Sequence, residues 1–256
     1  MPLKENIFGY QISTSSIDVC VAEITSWIQQ QMKAKYFVCA NPHSLEIARL
    51  DPFFDQAIKN ADLITPDGIG IVIASRISHG KIRERITGND IFCGLSDRLN
   101  QERGYRYYFL GSTENVLDGI QQKMHKDYPN IAVVGTYAPP FKHEFSENEH
   151  RQMIEAVNQA KPDVLWVGMT APKQEKWIYQ NRDKLNVKFI GAIGAVFDFY
   201  AGTVKRSHPR FQRYGLEWLP RLLREPRRLW RRNFISNPTF MIRVLKEYIF
   251  CKDAEG

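Results

Sequence analysis

The sequence predicts an α/β fold: a largely parallel, Rossmann-like sheet with helices on both faces, plus a C-terminal helical appendage. Short strand-like runs alternate with helix-like segments up to about Ala195, a pattern typical of parallel α/β sheets. Apolar residues make up 43% of the 256-residue chain, which is enough for a sizeable core. Beyond Ala195 no strand-like run follows, and prolines divide the remainder into short helical pieces: Pro209, Pro220, Pro226 and Pro238. We therefore expect a core over residues 1–195 and an appendage over residues 196–256.

The predicted elements follow one another in a regular order. Ser15 or Ser16 can cap a first helix. Ile17, Val21 and Ile24 then share one face of that helix. The predicted strands are short apolar runs, most of them bounded by Gly, Pro, Asn or Asp, at residues 36–40, 61–65, 105–110, 131–136, 164–167 and 187–190. The predicted helices lie at about residues 16–33, 44–50, 70–77, 89–103, 113–128, 146–160 and 172–181.

Cysteine spacing and hydropathy exclude several classes of protein. The four cysteines are scattered and form no C-x-x-C pair, so we expect free thiols in a reducing cytoplasm and neither a zinc site nor a disulfide framework. The N-terminal residues lack the apolar run of a secretory signal. No window approaches the roughly 18 apolar residues of a membrane span. A membrane contact would therefore be peripheral.

Positive charge is concentrated in residues 203–232. This basic segment carries ten Lys or Arg residues and two acidic ones, whereas the whole chain has a net charge of +7. Trp218 and Trp230 are interleaved with the charges. A basic segment with aromatic residues is typical of polyanion binding, and nucleic acid, an anionic membrane and a phosphate-bearing substrate are all candidates. An ordinary solvated charged face is the other interpretation.

Four segments fall at the predicted carboxyl ends of strands, where parallel α/β sheets bind ligands. They are residues 39–43, 65–70, 111–113 and 168–175. Asp67 lies in the second of them, between Pro66 and Gly68. It is a candidate general base held at the sheet edge, or an ordinary turn residue that caps the next helix.

The other three segments offer weaker signals. The glycine-led turn at Gly111 and Ser112 precedes a helix and suits a phosphate, or is a plain helix cap. Arg85 could present a cation beside it, or be solvated together with Arg83. The first turn of a later helix holds three polar residues that could bind a sugar or a nucleobase, or be solvated: Lys173, Gln174 and Glu175. His43 is a lone histidine and is more often structural.

Several motifs at these segments resemble one known family in order and spacing. They are Asn41-Pro42-x-Ser44, Pro66-Asp67-Gly68-x-Gly70, Glu84-Arg85-x-x-Gly88-Asn89-Asp90, Phe109-Leu110-Gly111-Ser112, Gly168-x-x-x-Pro172-Lys173-Gln174-Glu175 and Gly191-x-x-Gly194-x-x-Phe197-Asp198-x-x-x-Gly202. The chain resembles the WecG/TagA/CpsF group, glycosyltransferase family 26, over about residues 10–230. Several motifs in order are far more specific than any one of them.

The resemblance implies an inverting transferase that needs neither metal nor cofactor. Members move a sugar from a UDP-sugar to a polyprenyl-diphosphate-linked acceptor at the cytoplasmic face of the inner membrane, as a step in surface polysaccharide biosynthesis. The absence of an Asp-x-Asp motif agrees with a metal-free mechanism. N-acetylmannosamine, N-acetylmannosaminuronate and glucose all stay open as the donor sugar. The acceptor sugar and a homo-oligomeric state also stay open.

The resemblance also assigns roles to individual residues. Asp67 matches the proposed general base, and Asn41, Arg85 and Gln174 match substrate-pocket positions; we expect Arg85 to act in catalysis by stabilising the leaving group. Cys39 stands where relatives often have Thr, and a thiol is the poorer hydrogen-bond donor. Further substrate contacts are expected from the neighbouring motif positions: Cys39, Gly68, Asn89, Gly111, Ser112, Gly168 and Lys173.

The basic segment is expected to serve both substrate and membrane. Four arginines are assigned to the substrate site, where they would help to close it: Arg210, Arg213, Arg221 and Arg224. Four residues are assigned to an anionic membrane surface: Trp218, Arg228, Trp230 and Arg231. A nucleic-acid-binding α/β protein is the alternative, although no helix-turn-helix, RRM motif or zinc spacing accompanies the charge. A nucleotide-sensing domain without catalysis is a third and weaker interpretation.

Overall fold

The computed structural model describes residues 3–204, 222 and 226–253. An antiparallel hairpin comes first, formed by β1 (Lys4–Ile7) and β2 (Tyr10–Ser13). The remaining strands are β3 (Lys35–Ala40), β4 (Leu63–Pro66), β5 (Arg106–Gly111), β6 (Ala132–Tyr137), β7 (Val164–Gly168) and β8 (Phe189–Ala192). The helices are α1 (Ile17–Gln29), α2 (Pro42–Ala48), α3 (Pro52–Lys59), α4 (Ile69–Ile77), α5 (Gly88–Leu99), α6 (Glu114–Asp127), α7 (Glu147–Ala160), α8 (Lys173–Asn181), α9 (Val196–Ala201), α10 (Pro226–Arg231) and α11 (Asn237–Asp253).

The strands β3 to β8 form one parallel sheet in the order β4-β3-β8-β7-β5-β6. Successive strands of a parallel sheet need crossover connections, and helices supply them here. The predicted α/β fold with a Rossmann-like sheet is confirmed. Because all six strands run the same way, their carboxyl ends meet at one edge, and the loops that follow them lie together.

Two apolar layers cover the two faces of the sheet. Alternate residues of a strand point to opposite faces, as Tyr36 and Phe37 of β3 do. One layer packs β1, β2, α2, α3, α4, α7, α8 and α11 on the sheet, and the other packs α1, α5, α6 and α9 on it. At about 25 cal/mol per Å² of buried apolar surface, these layers supply the main driving force for folding.

The C-terminal helices pack on this core. Phe197 of α9 is buried in the same layer as α6. Phe240 and Val244 of α11 are buried in the opposite layer, and α11 lies against α2 and α4. The boundary predicted at residue 195 stays a prediction.

The last helix differs from the short pieces expected there, because α11 has 17 residues and contains Pro238 in its first turn. Proline is tolerated in the first turn of a helix, where its missing N–H has no intrahelical partner. A π-helical turn, Arg232–Ser236, joins α10 to α11 directly before this proline. Such a turn widens the helix at the point where the proline ring would meet the preceding backbone, so the helical run continues.

Candidate active site

A cleft of about 1740 Å³ lies at the carboxyl edge of the sheet. The loops after β3, β4, β5, β6, β7 and β8 line it, and the C-terminal helices form one wall. Pockets for a single drug-sized ligand usually measure about 300–1000 Å³. The cleft therefore has room for two such ligands side by side.

Asp67 lies on the floor of this cleft and is partly buried. It directly follows β4, and its backbone N–H donates to the carbonyl of Ala40 at the end of β3 over 2.8 Å. Gly68 then reverses the chain with a φ of 96°, a conformation that side chains with a Cβ rarely adopt. These contacts therefore fix the backbone of Asp67 at the ends of two neighbouring strands.

Asn41 lies beside this turn. Its side chain accepts a 3.0 Å hydrogen bond from the N–H of Ser44 and caps α2, while the Ser44 hydroxyl accepts from the N–H of Asn41. A Cβ on Gly68 would lie 3.8 Å from the Cβ of Asn41. The structure therefore brings Asn41 and the Asp67 turn together in the cleft, as predicted.

Arg85 lies at the same edge of the sheet, because the next residue, Ile86, is hydrogen-bonded to the end of β4. The N–H of Ile86 donates to the carbonyl of Pro66 over 2.8 Å, which ties the segment before α5 to the end of β4. Arg85 lines the cleft, and so does Asn89 in the first turn of α5. Arg83 instead donates to the carbonyl of Gly80 over 2.8 Å and is exposed. Of the two arginines considered together, Arg85 is the one at the cleft.

Gly111 and Gly168 serve close packing beneath the cleft. A Cβ on Gly111 would overlap the carbonyl oxygen of Gly168 on the neighbouring strand, and a Cβ on Gly168 would overlap the ring of Phe197. Ser112 and Gly168 line the cleft, whereas Gly111, the residue before Ser112, does not. The N-terminal end of the 14-residue helix α6 follows, and its backbone N–H groups favour an anion at this side.

Cys39 lines the cleft near several carboxylates. Burial raises the pKa of its thiol well above the usual value, and the negative charges of Asp67, Glu175 and Asp90 raise it further. The sulfur lies 3.7 Å from the Thr65 hydroxyl oxygen. The thiol therefore stays protonated at neutral pH and is a weak hydrogen-bond donor in this pocket.

The three polar residues in the first turn of α8 all line the cleft but differ in burial and in their partners. Gln174 and Glu175 are buried at the cleft, and burial raises the pKa of Glu175 to about 7. Lys173 also lines the cleft, but its Nζ donates to the carbonyl of Lys142 over 2.5 Å and lies 3.8 Å from the centre of the Phe145 ring. In this structure Lys173 holds the loop after β6, and its predicted contact with substrate stays a prediction.

Sequence reasoning missed one wall of the cleft. Five residues of α10, the π-helical turn and α11 line it: Leu229, Arg232, Asn233, Asn237 and Met241. The loop after β6, residues 138–145, lines the mouth. The concentration of positive charge in residues 203–232 was the sequence signal that could have identified Arg232. No pattern in the sequence indicates which side of a π-helical turn faces the core.

The predicted tail residues are described only in part. Five of them lie outside the described residues: Arg210, Arg213, Trp218, Arg221 and Arg224. Arg228 lies in α10. Trp230 is 46% exposed, and Arg231 is exposed with its guanidinium 5.9 Å from the Trp230 ring. Phe234 and Ile235 are exposed beside them.

Comparison with known proteins identifies the family. The model of the glycosyl transferase WecG/TagA/CpsF family matches residues 5–254, almost the whole chain. The chain belongs to the WecG/TagA/CpsF family of glycosyltransferases. The predicted family and enzyme class are therefore confirmed, and the nucleic-acid-binding alternative loses its support. In the part of the chain that the structure describes, no helix of this glycosyltransferase combines the length and apolarity needed to cross a bilayer.

Three relatives of this glycosyltransferase share the name N-acetylglucosaminyldiphosphoundecaprenol N-acetyl-beta-D-mannosaminyltransferase. The protein from Bacillus spizizenii is 30% identical over 239 residues, covering 91% of this chain and 90% of the relative. The protein from Bacillus subtilis is 31% identical, covering 81% of this chain and 77% of the relative. The protein from Staphylococcus aureus strain MW2 is 27% identical, covering 95% and 92%.

Proposed function

We propose that this glycosyltransferase moves N-acetylmannosamine from a UDP-sugar to a polyprenyl-diphosphate-linked N-acetylglucosamine, with inversion at the anomeric carbon. The observation that carries this proposal is the position of Asp67. Its carboxylate lies on the floor of a cleft large enough for two ligands, beside Asn41 and the segment of Arg85. The activity named for the relatives supports the choice of sugars.

The proposed reaction is a single displacement. The acceptor hydroxyl attacks the anomeric carbon, a new C–O bond forms, and the bond from that carbon to the diphosphate oxygen breaks. Asp67 takes the hydroxyl proton as general base. The leaving UDP gains negative charge, which Arg85 and the N-terminal end of α6 stabilise. This chemistry requires neither a metal nor a cofactor.

The proposed location is the cytoplasmic face of the inner membrane, where the protein lies as a peripheral protein against anionic lipid. Trp230 is 46% exposed and Phe234 is 64% exposed, and the sequence places Arg228, Arg231 and Arg232 within six residues of both. Aromatic side chains suit the headgroup depth, and each Lys or Arg near an anionic leaflet contributes about 1 kcal/mol. The lipid-linked acceptor would then enter the cleft from the membrane side.

Substitution of Asp67 by Asn tests the proposal. The purified protein is incubated with UDP-N-acetylmannosamine and a lipid-linked N-acetylglucosamine diphosphate, and released UDP is measured. We expect wild-type turnover and a loss of about 10²–10⁴ in kcat for Asp67→Asn, because the amide cannot accept the proton. Asp62→Asn is the matched control, since Asp62 pairs with Lys35 at 2.6 Å at the other end of β4. Equal activity of the wild type and Asp67→Asn would remove Asp67 from the mechanism.

A further inference from the structure

The first turn of α8 buries two neighbouring polar side chains at the cleft. Gln174 and Glu175 are 5% and 4% exposed. The Gln174 Nε2 donates a 2.9 Å hydrogen bond to the Glu175 Oε1. The other two oxygens, Gln174 Oε1 and Glu175 Oε2, are buried and have no hydrogen-bond partner within the described part of the chain. Buried polar atoms are nearly always paired in folded proteins, so two neighbouring unpaired acceptors require an explanation.

The carboxylate determines which end of the Gln174 amide faces which way. Above its pKa of about 7 the Glu175 carboxylate is ionised and only accepts hydrogen bonds, so it has to meet the NH2 group of Gln174. The carbonyl oxygen of Gln174 then points away from Glu175. It lies 3.4 Å from the position that a Cβ on Gly194 would occupy, and Nε2 lies 3.6 Å from it, so the amide as a whole faces Gly194, which lines the cleft after β8. The unpaired acceptor is therefore held on the side of the loop after β8.

We propose that Glu175 is a positioning residue that locks the Gln174 amide, so that the Gln174 carbonyl accepts a hydrogen bond from a sugar hydroxyl or an amide N–H of the substrate. This inference rests on the proposed transferase function and deepens it. The substrate group at this point has to be a donor, because both unpaired atoms are acceptors. A substrate analogue that lacks this donor leaves the acceptor buried and unpaired, which is the basis of strong discrimination.

Four variants assayed at pH 8 test the role of Glu175. We expect Glu175→Met to lower kcat/KM for the nucleotide sugar about 10- to 100-fold, because the freed amide no longer holds the productive geometry. Glu175→Gln should regain most of the activity, since its own amide oxygen can accept from Gln174 Nε2. Gln174→Ala should lose at least as much as Glu175→Met. The double variant Gln174→Ala/Glu175→Met should be no worse than Gln174→Ala, because Glu175 acts through Gln174.

A control variant on the same helix separates a loss of protein stability from a loss of the positioning role of Glu175. Ile178 of α8 is fully buried and does not line the cleft. Ile178→Ala should lower the Tm and leave kcat/KM of the folded protein unchanged. If Glu175→Met does not fold, Glu175→Asp replaces it, because the shorter side chain keeps the charge and loses the reach. Its loss should likewise disappear on the Gln174→Ala background.

Two results would overturn the inference. In the first, Glu175→Met is as active as the wild type. In the second, the losses of Gln174→Ala and Glu175→Met multiply in the double variant, which means that the residues act independently. Wild-type turnover in the same experiment separates this inference from the proposed function: an inactive wild type refutes the transferase. If the wild type is inactive, calorimetric binding of the UDP-sugar to the same variants still tests the role of Glu175. The loss of affinity in the double variant should then equal that of Gln174→Ala alone.

Discussion

Phe240 anchors the C-terminal helix α11 to the core, and its replacement by Ala tests whether that helix forms a working wall of the cleft. The Phe240 ring is fully buried, and its centre lies 5.4 Å from that of Phe8 in an edge-to-face contact. Val244 is buried one turn further on. The Arg243–Glu46 ion pair, at 2.5 Å, adds one more contact between α11 and α2.

The magnitude follows from these few contacts. Full burial of a Val or Phe side chain stabilises by about 1.5–3 kcal/mol, so the two side chains together supply roughly 3–6 kcal/mol. Phe→Ala in a core costs about 3–5 kcal/mol, which is most of that amount. The sheet keeps its own apolar layers. We therefore expect α11 to detach locally in Phe240→Ala while the remainder of the fold persists.

Hydrogen exchange and steady-state kinetics measure this outcome. Amides of residues 237–247 should exchange at least tenfold faster in Phe240→Ala, and kcat/KM should fall at least tenfold, because Asn237 and Met241 of α11 line the cleft. Ile58→Ala is the matched control: Ile58 is fully buried in the same layer, on α3, and does not line the cleft. If both variants show the same exchange pattern and the same activity, α11 is not a separate wall and the reasoning is refuted.

Three further predictions follow from buried and exposed groups. Burial raises the pKa of Glu175 from 4.5 to about 7, so the folded state binds more protons than the unfolded state in that window and stability falls as pH rises. Glu175→Gln should reduce the difference in unfolding free energy between pH 5 and pH 8 by about 2–3 kcal/mol in urea unfolding, and an unchanged difference would contradict the assignment. Gly111→Ala should lower the free energy of unfolding by more than about 2 kcal/mol, because the new Cβ overlaps Gly168. Gly104→Ala is the control and should cost less, because Gly104 also has a positive φ but a Cβ there meets nothing within 4 Å. Equal losses of Tm in the two variants would disprove the overlap. A double Trp230→Ser/Phe234→Ser variant should bind anionic vesicles about tenfold more weakly in co-sedimentation, and unchanged binding would remove these side chains from the membrane surface.

Residues that directly follow a strand were predictable from sequence. An apolar run stopped by Pro or Gly fixes the end of a parallel strand, and this end defines the edge of the sheet. For that reason Asn41 and Asp67 were expected in the cleft, and both line it. The hairpin of β1 and β2 was missed because each strand has only four residues and β1 shows little apolar alternation. Helix α3 was missed although Asp51 and Pro52 are ordinary helix-start residues.

Other features depend on contacts between distant segments and leave no local pattern. The burial of Glu175 and Gln174 follows from how α8 packs on the sheet, whereas Lys173 in the same turn is equally polar and stays partly exposed. Lys173 meets Lys142, which is 31 residues earlier in the chain. The inward face of the π-helical turn is equally a tertiary property. A sequence pattern indicates which residues share an element, but it does not indicate which neighbour covers them.

The two sides of the cleft differ in how firmly they are built, and this difference matters for a lipid-linked substrate. The floor is tied by backbone hydrogen bonds from Asp67 to Ala40 and from Ile86 to Pro66, so the proposed base Asp67 and the segment of Arg85 keep their places. The opposite wall belongs to helices that rest on the core through few buried side chains, Phe240 and Val244 among them. Such a wall opens at lower free energy than the sheet. In the proposed reaction, a rigid floor with a weakly held wall admits an acceptor that carries a long polyprenyl chain and still presents its hydroxyl to Asp67.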